Sequence, residues 1–342
     1  MASIVRSALA VFALAVAGAG PAAAQGSLTL YCSPQIEWCQ AMVTAFEKKF
    51  GIKVAMTRKS SGETYAQVKA EASNPRGDIW WGGTGDPHLQ AAEEGLTEVY
   101  QSPMLPQLLD WAVSQAKGSG YRTVGIYAGA LGFGYNTETI KKKNLPEPKC
   151  WADLTKPGFK GEVQVANPNS SGTAYTMLAT FVQMMGEDKA FDYLKSLHKN
   201  VNQYTRSGSA PIKAAAIGET AVGITFLHDV LTQIVEGGPI KAVAPCEGTG
   251  YEIGSQSIIK GARNMENAKK WYDWSLTPEA QKLALSANSF QVPSNKNSEV
   301  PANAPKLSDV KLIDYDFKKY GSAAERTRLI AKWDAEVKSL PQ

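Results

Sequence analysis

The chain has 342 residues, 44% of them hydrophobic and 20% charged, enough for a sizeable core and, by length, for about two domains. Lys and Arg number 36 against 32 Asp and Glu, and a net charge of +4 is too mild for the basic patches of a nucleic-acid binder. Beyond the first 25 residues no apolar run reaches the ~18 residues of a membrane span, which excludes a polytopic membrane protein, and 3 His with 4 Cys leave little material for His/Cys metal clusters.

The chain opens with Arg6, an apolar run over residues 8–17, and Ala22-Ala23-Ala24 before Gln25. This is the pattern of a secretory signal peptide, expected over residues 1–24. No cysteine sits just after the cleavage site, so a lipid anchor is not indicated, and the mature chain would carry about +3. Export to an oxidising compartment favours disulfides over thiolate ligands. Of the three connectivities, Cys32–Cys39 and Cys150–Cys246 are expected, each pair lying within one part of the chain; the alternative is that one pair stays reduced. No C-x-x-C occurs, which argues against a thiol-redox enzyme.

The mature chain alternates strand-like and helical runs. Leu28-Thr29-Leu30-Tyr31 reads as a strand, residues 38–50 as a helix with Met42, Ala45, Phe46 and Phe50 on one face, and Gly51 as its stop. Residues 52–56 form a second strand before Ser60-Ser61-Gly62-Glu63 and a helix over 65–72. Asp78-Ile79-Trp80-Trp81 is a third strand, broken at Gly82-Gly83-Thr84-Gly85, and a helix at 89–94 ends at Gly95. Repeated β-loop-α units imply a parallel sheet that binds ligands at strand carboxyl ends.

A second series starts near Arg122. Residues 123–127 and 131–136 read as two Gly-punctuated strands, and 163–165 as another, followed by Asn169-Ser170-Ser171-Gly172-Thr173 and an apolar helix over 174–185. Ser207-Gly208-Ser209 precedes a helix at 211–217. The strand 221–226 leads into Leu227-His228-Asp229 and a helix to Glu236. Residues 254–259 form a returning strand, 264–275 and 278–287 are helices, and the tail from Ser289 is polar. No repeat of 20–50 residues occurs, so a solenoid is not expected.

Ser170, Ser171, Gly172 and Thr173, between strand and helix, offer hydroxyls and unpaired N–H groups to an anion; the bland alternative is simple capping. Similar small, donor-rich loops recur at Ser33, Ser60-Ser61-Gly62, Gly82-Gly83-Thr84 and Ser207-Gly208-Ser209, which favours one shared cleft. No basic cluster accompanies them, so the anion would be held by neutral N–H groups. None is a Walker loop or a dinucleotide fingerprint. His228 and Asp229 close a buried-looking strand and could hold hydroxyls, or pack in the core and cap the next helix. Glu252 is a third polar candidate, with a solvated carboxylate as its alternative. No Gly-x-Ser-x-Gly elbow or nucleophile–base pair is present.

Together, Leu28-Thr29-Leu30-Tyr31-Cys32-Ser33, the stretch 46–54, Gly77-Asp78-Ile79-Trp80-Trp81-Gly82-Gly83, the stretch 92–96, Leu131-Gly132-Phe133-Gly134-Tyr135-Asn136-Thr137, Trp151-Ala152-Asp153-Leu154 and the stretch 156–161 resemble the ferric-iron-binding-protein family of periplasmic substrate-binding proteins of ABC transporters. The resemblance spans nearly the whole mature chain. It implies a type II α/β fold of two lobes, each a mainly parallel sheet flanked by helices, joined by crossover strands. The lobes are expected at 25–126 with 257–342, and at 127–256. A hinge motion would close them on a ligand, which a cognate inner-membrane permease would receive. No chemistry, cofactor, metal or nucleic acid is expected, and the protein should be a periplasmic monomer.

Ferric members of this family carry adjacent tyrosines after the strand equivalent to 221–226. Here Leu227-His228-Asp229 stands there instead, with Glu252 downstream, as in the branch that binds hexose phosphates. The resemblance then implies that Ser170, Ser171, Gly172 and Thr173 hold a phosphate, with Ser33, Ser61, Thr84 and Ser207. It implies that His228, Asp229 and Glu252 hold sugar hydroxyls. A phosphonate, pyridoxal phosphate or thiamine is an alternative ligand. So is iron, held by other tyrosines (Tyr31, Tyr135, Tyr175, Tyr204 or Tyr251). An exported phosphatase is the reading from another class.

Overall fold

The computed structural model describes residues 26–304 and 306–341; the expected signal segment lies outside them. Strands β1 (Ser27–Cys32), β2 (Lys53–Arg58) and β3 (Ile79–Trp81) are parallel, with β1 central. The chain continues through β4 (Val124–Asn136), β5 (Val163–Ala166), β6 (Val201–Thr205), β7 (Val222–Phe226), β8 (Ile240–Val243), β9 (Tyr251–Ile258) and β10 (Val292–Pro293). The order across the sheet is β2-β1-β3-β9-β4-β7-β5-β6, with β8 and β10 also paired to β4. β5 is parallel to both β6 and β7. The antiparallel pairings all involve the two crossover strands, β4 and β9.

β4 joins the two halves. Its first part pairs with β9, and Leu131 to Tyr135 pair with β7. The two expected strands at 123–127 and 131–136 are therefore one continuous strand. The glycines read as breaks allow close approach instead: a Cβ on Gly129 would sit 2.4 Å from His228 Nδ1, inside any real carbon–nitrogen contact. Gly129 is the register partner of Glu252 on β9, so its missing side chain makes room where two candidate residues meet.

Two cores result. One packs Leu28, Leu30, Trp38, Phe46, Trp81 and Trp271 over β1–β3. The other packs Phe133, Trp151, Tyr175, Phe181 and Phe191 around β5–β7. Tail residues Tyr315, Tyr320, Leu329, Trp333 and Val337 belong to this second core. Their packing groups the end of the stretch 257–342 with the second core. The tail looks polar because its apolar residues are sparse, yet helix Ala323–Trp333 turns Leu329 and Trp333 to one face, as i, i+4 spacing requires. Both disulfides form as expected, Cys32–Cys39 and Cys150–Cys246.

Candidate functional site

The donor-rich loops converge. One cleft is lined by Ser33, Ser61, Thr84, Ser171, Gly172, Thr173, Ser207, His228, Asp229 and Glu252. Each loop follows a strand of one half or the other, and the halves meet edge-on at the carboxyl ends, as the β-loop-α order implies. Ser171 both caps helix Gly172–Met185, accepting from Ala174 N, and lines the cleft. Capping and a place in the cleft lining thus coexist in one residue. Ser61 Oγ accepts from Thr84 N at 3.1 Å, and Ser207 Oγ lies 3.3 Å from Ser209 Oγ. Ser33 Oγ accepts from Trp80 Nε1 at 2.9 Å and lies 3.1 Å from Thr64 Oγ1.

Ser170 is the exception. Its hydroxyl donates to Asn167 O and Arg206 O, at 3.3 and 3.1 Å, outside the cleft lining. The turn before the helix directs it backward, and its own carbonyl accepts from Gly62 N at 3.1 Å across the lobes. The Ser170 side chain is thus turned away from the cleft that the other candidates share.

The other end of the cleft is acidic and buried. Helix Leu227–Val235 starts directly after β7, placing His228 and Asp229 in its first turn. Asp229 Oδ2 accepts from Thr225 Oγ1 at 2.9 Å, and Oδ1 accepts from Gln35 Nε2 of the opposite lobe. His228 Nε2 lies 3.7 Å from Glu252 Oε1 and 3.8 Å from Asp229 Oδ1, and its ring stacks on Phe226. Burial pulls the His228 imidazole down, against the pull of Asp229, and keeps it neutral. Burial, with Asp229 and Asp86 nearby, pushes the Glu252 carboxyl well above the usual range. The trio sets an imidazole beside two carboxyl groups, a set able to donate to and accept from hydroxyls.

Several lining residues escaped the sequence reading: Gln35, Arg58, Tyr127, Phe226 and Gln291. Arg58 corrects the expectation of a wholly neutral nest. Its Nε donates to Pro34 O at 2.9 Å, and Nη2 to Ser33 O and Ser207 Oγ, both at 3.3 Å. Burial lowers its pKa, but a guanidinium stays charged. Its signal was available: an arginine at the end of β2, just before Ser60-Ser61-Gly62. Four buried polar atoms of lining residues have no partner, namely Gln35 Oε1, Thr84 Oγ1, His228 Nδ1 and Gln291 Oε1. Such atoms are costly singly, and their convergence on one cleft points to a polar ligand.

The tyrosines named for the alternative iron site lie elsewhere. Tyr31 and Tyr135 donate to Glu71 and Glu147, and Tyr175 to the Tyr320 carbonyl. Tyr204 OH meets His198 Nδ1, and Tyr251 packs with Tyr315 and Phe317. Among the described lining residues Tyr127 is the one tyrosine, and it accepts from Gly83 N at 2.8 Å.

Comparison with known proteins agrees with this architecture. The model for bacterial extracellular solute-binding proteins matches residues 84–319. The periplasmic binding protein AfuA of Actinobacillus pleuropneumoniae, solved with exogenous fructose-6-phosphate bound, is 48% identical with a TM-score of 0.90, covering 92% of this chain and 100% of that one. The periplasmic binding protein P5PA is 40% identical (TM-score 0.89, the same coverage). Iron-bound HitA of Pseudomonas aeruginosa shares the fold, with 22% identity and a TM-score of 0.75 over 90% of this chain and 98% of its own. Sequence and fold together place this chain in the bacterial extracellular solute-binding protein family, with the two-lobed α/β fold shared by its ferric-iron-binding members.

Proposed function

We propose that the protein binds a small phosphorylated organic solute, a sugar phosphate above others, in this cleft and delivers it to an ABC permease. The reading places it in the periplasm as a monomer after loss of residues 1–24. The observation that carries it is the polarity of the cleft. Arg58 and the hydroxyl and N–H groups of Ser61, Thr84, Ser171, Gly172, Thr173 and Ser207 form one end, and His228, Asp229 and Glu252 form the other. The first end suits a phosphate, held by a guanidinium and helix N-terminal donors. The second suits a polyol, whose hydroxyls need donors and acceptors together. The fructose-6-phosphate bound to AfuA supports the same class of ligand. Hard trivalent iron would find a single phenol and a nearby cation. Among the described residues, no helix is long and apolar enough to cross a membrane, in keeping with a released protein. The two lobes of this reading are 25–126 with 257 to about 310, and 127–256 with the remaining tail, the latter grouping following the core packing.

Calorimetry with glucose 6-phosphate, fructose 6-phosphate and ferric citrate, on protein freed of carried-over ligand, tests the reading. Either sugar phosphate should bind, and ferric citrate should not. Iron binding without organic-phosphate binding would sink it.

A further inference from the structure

Behind the cleft, the contact between the lobes buries an acid and a base with unused hydrogen-bonding capacity. Asp86 lies in the first turn of the first-lobe helix Gly85–Glu93 and is 2% exposed. Its Oδ2 accepts long hydrogen bonds from Thr176 Oγ1 (3.3 Å) and Tyr315 OH (3.4 Å), and Oδ1 has no partner. Thr176 lies on helix Gly172–Met185 and Tyr315 in the second core, so both come from the opposite lobe. Arg326, on helix Ala323–Trp333, is 5% exposed. Its guanidinium stacks over Tyr175 at 4.6 Å, Nη2 donates to Pro168 O at 3.3 Å, and Nη1 has no partner. A Cβ on Gly62 of the first lobe would lie 2.9 Å from Nη2, so Arg326 too presses on the seam.

These groups are shielded from water by the meeting of the two lobes. A carboxylate buried with two long bonds and a bare oxygen is poorly compensated. The positive end of its own helix and the charge of Arg326 favour ionisation, and burial opposes it. Burial prevails, and the Asp86 carboxyl is pushed up to about 7. The other groups facing it are Tyr175 and Tyr315, both raised by burial, Arg326, lowered by burial, and Glu252 of β9, raised in part by Asp86 itself. Were the lobes to part, Asp86 would meet water and return toward an ordinary carboxyl.

We propose that Asp86 couples closure to a proton: it takes one up when the lobes close over it and releases it when they open. This rests on the reading that the lobes close around a ligand. The sign follows from linkage, since a carboxyl raised in the closed form favours closure at low pH and opposes it as pH rises toward 7. The test compares wild type with Asp86→Asn, which mimics the protonated acid, in calorimetric titrations with glucose 6-phosphate between about pH 5.5 and pH 8. The ratio of the two affinities cancels proton effects from the ligand phosphate, and those from other groups to the extent that they are uncoupled from Asp86. Asp86→Asn should bind at least ~10-fold more tightly at about pH 8, with the advantage narrowing as pH falls. Equal or weaker binding by the variant across the range overturns the proposal; Asp86→Ala replaces it if Asn does not fold. Should glucose 6-phosphate bind neither protein, the functional reading fails. X-ray scattering of the ligand-free proteins then decides this one: Asp86→Asn should be more compact than wild type at about pH 8, and identical profiles overturn it.

Discussion

Gly172 is where closure leaves least room. A Cβ there would lie 1.8 Å from Thr84 Oγ1, 2.9 Å from Thr84 Cβ and 3.1 Å from Ser61 Cβ. All three atoms belong to the first lobe, whereas Gly172 starts helix Gly172–Met185 of the second. Carbon contacts need about 3.5 Å, so Gly172→Ala must push the lobes apart by roughly 1–1.5 Å or force Thr84, stiff at its branched Cβ, out of its rotamer. Overpacking of this kind costs about 1–3 kcal/mol. Because the clash exists only when the lobes meet, the cost falls on closure, not on the fold of either lobe. Ligand affinity should drop roughly 5- to 150-fold, while the melting temperature of the ligand-free protein, measured at a pH where its lobes are apart, stays within a few degrees. Calorimetry and thermal unfolding read the two effects separately. A double variant with Thr84→Ala removes the 1.8 Å contact and should lose less affinity than the two single changes summed. Wild-type affinity in Gly172→Ala would refute the idea that this contact defines the closed state.

Other consequences are direct. Arg58→Gln should weaken a phosphorylated ligand by about 1.5–3 kcal/mol, the usual worth of a charge-assisted bond, and lessen the salt dependence of binding; titrations at two ionic strengths check both. Glu252 is raised by burial in the folded protein, so its contribution to stability is complete below the ordinary carboxyl range and is lost as pH rises through the folded value. Glu252→Gln should therefore melt above wild type at about pH 8 and beside it near pH 4 in unfolding scans without ligand. The disulfides differ in the loop they close, 96 residues for Cys150–Cys246 and 7 for Cys32–Cys39. Chain entropy then assigns about 4–5 kcal/mol to the first and about 2–3 to the second. Denaturant unfolding of the two paired Cys→Ser variants should show that order.

Local order was legible wherever neighbours along the chain decide it. The helix from residue 38 to Phe50 shows its apolar face within four turns and Gly51 its stop with φ 67°, and Ser171 reads as the cap of helix Gly172–Met185. The small, donor-rich loops could be seen as a set because each follows a strand. Resemblance supplied the pairing of the two lobes and a shared role for His228, Asp229 and Glu252, which the structure brings within 4 Å across His228 Nε2.

The rest depends on residues far apart in sequence. Gln35 reaches Asp229 across 194 positions, and Asp86 meets Tyr315 across 229. No local period encodes such contacts, because they arise only when two separately formed cores dock along β4 and β9. Ser170 looked equivalent to Ser171, but one step along a turn reverses a side chain's direction, and the turn geometry is set by the strand and helix it joins. Arg58 stands at a strand end, and its place in the cleft appears only where Ser207 of the other half meets it. The sequence by itself determined where most strands, helices and small donor-rich loops lie, since those follow from periodicity and from the chemistry of helix ends. Docking of the lobes decided which of those loops share a cleft, which charge enters it, and which acid is buried behind it.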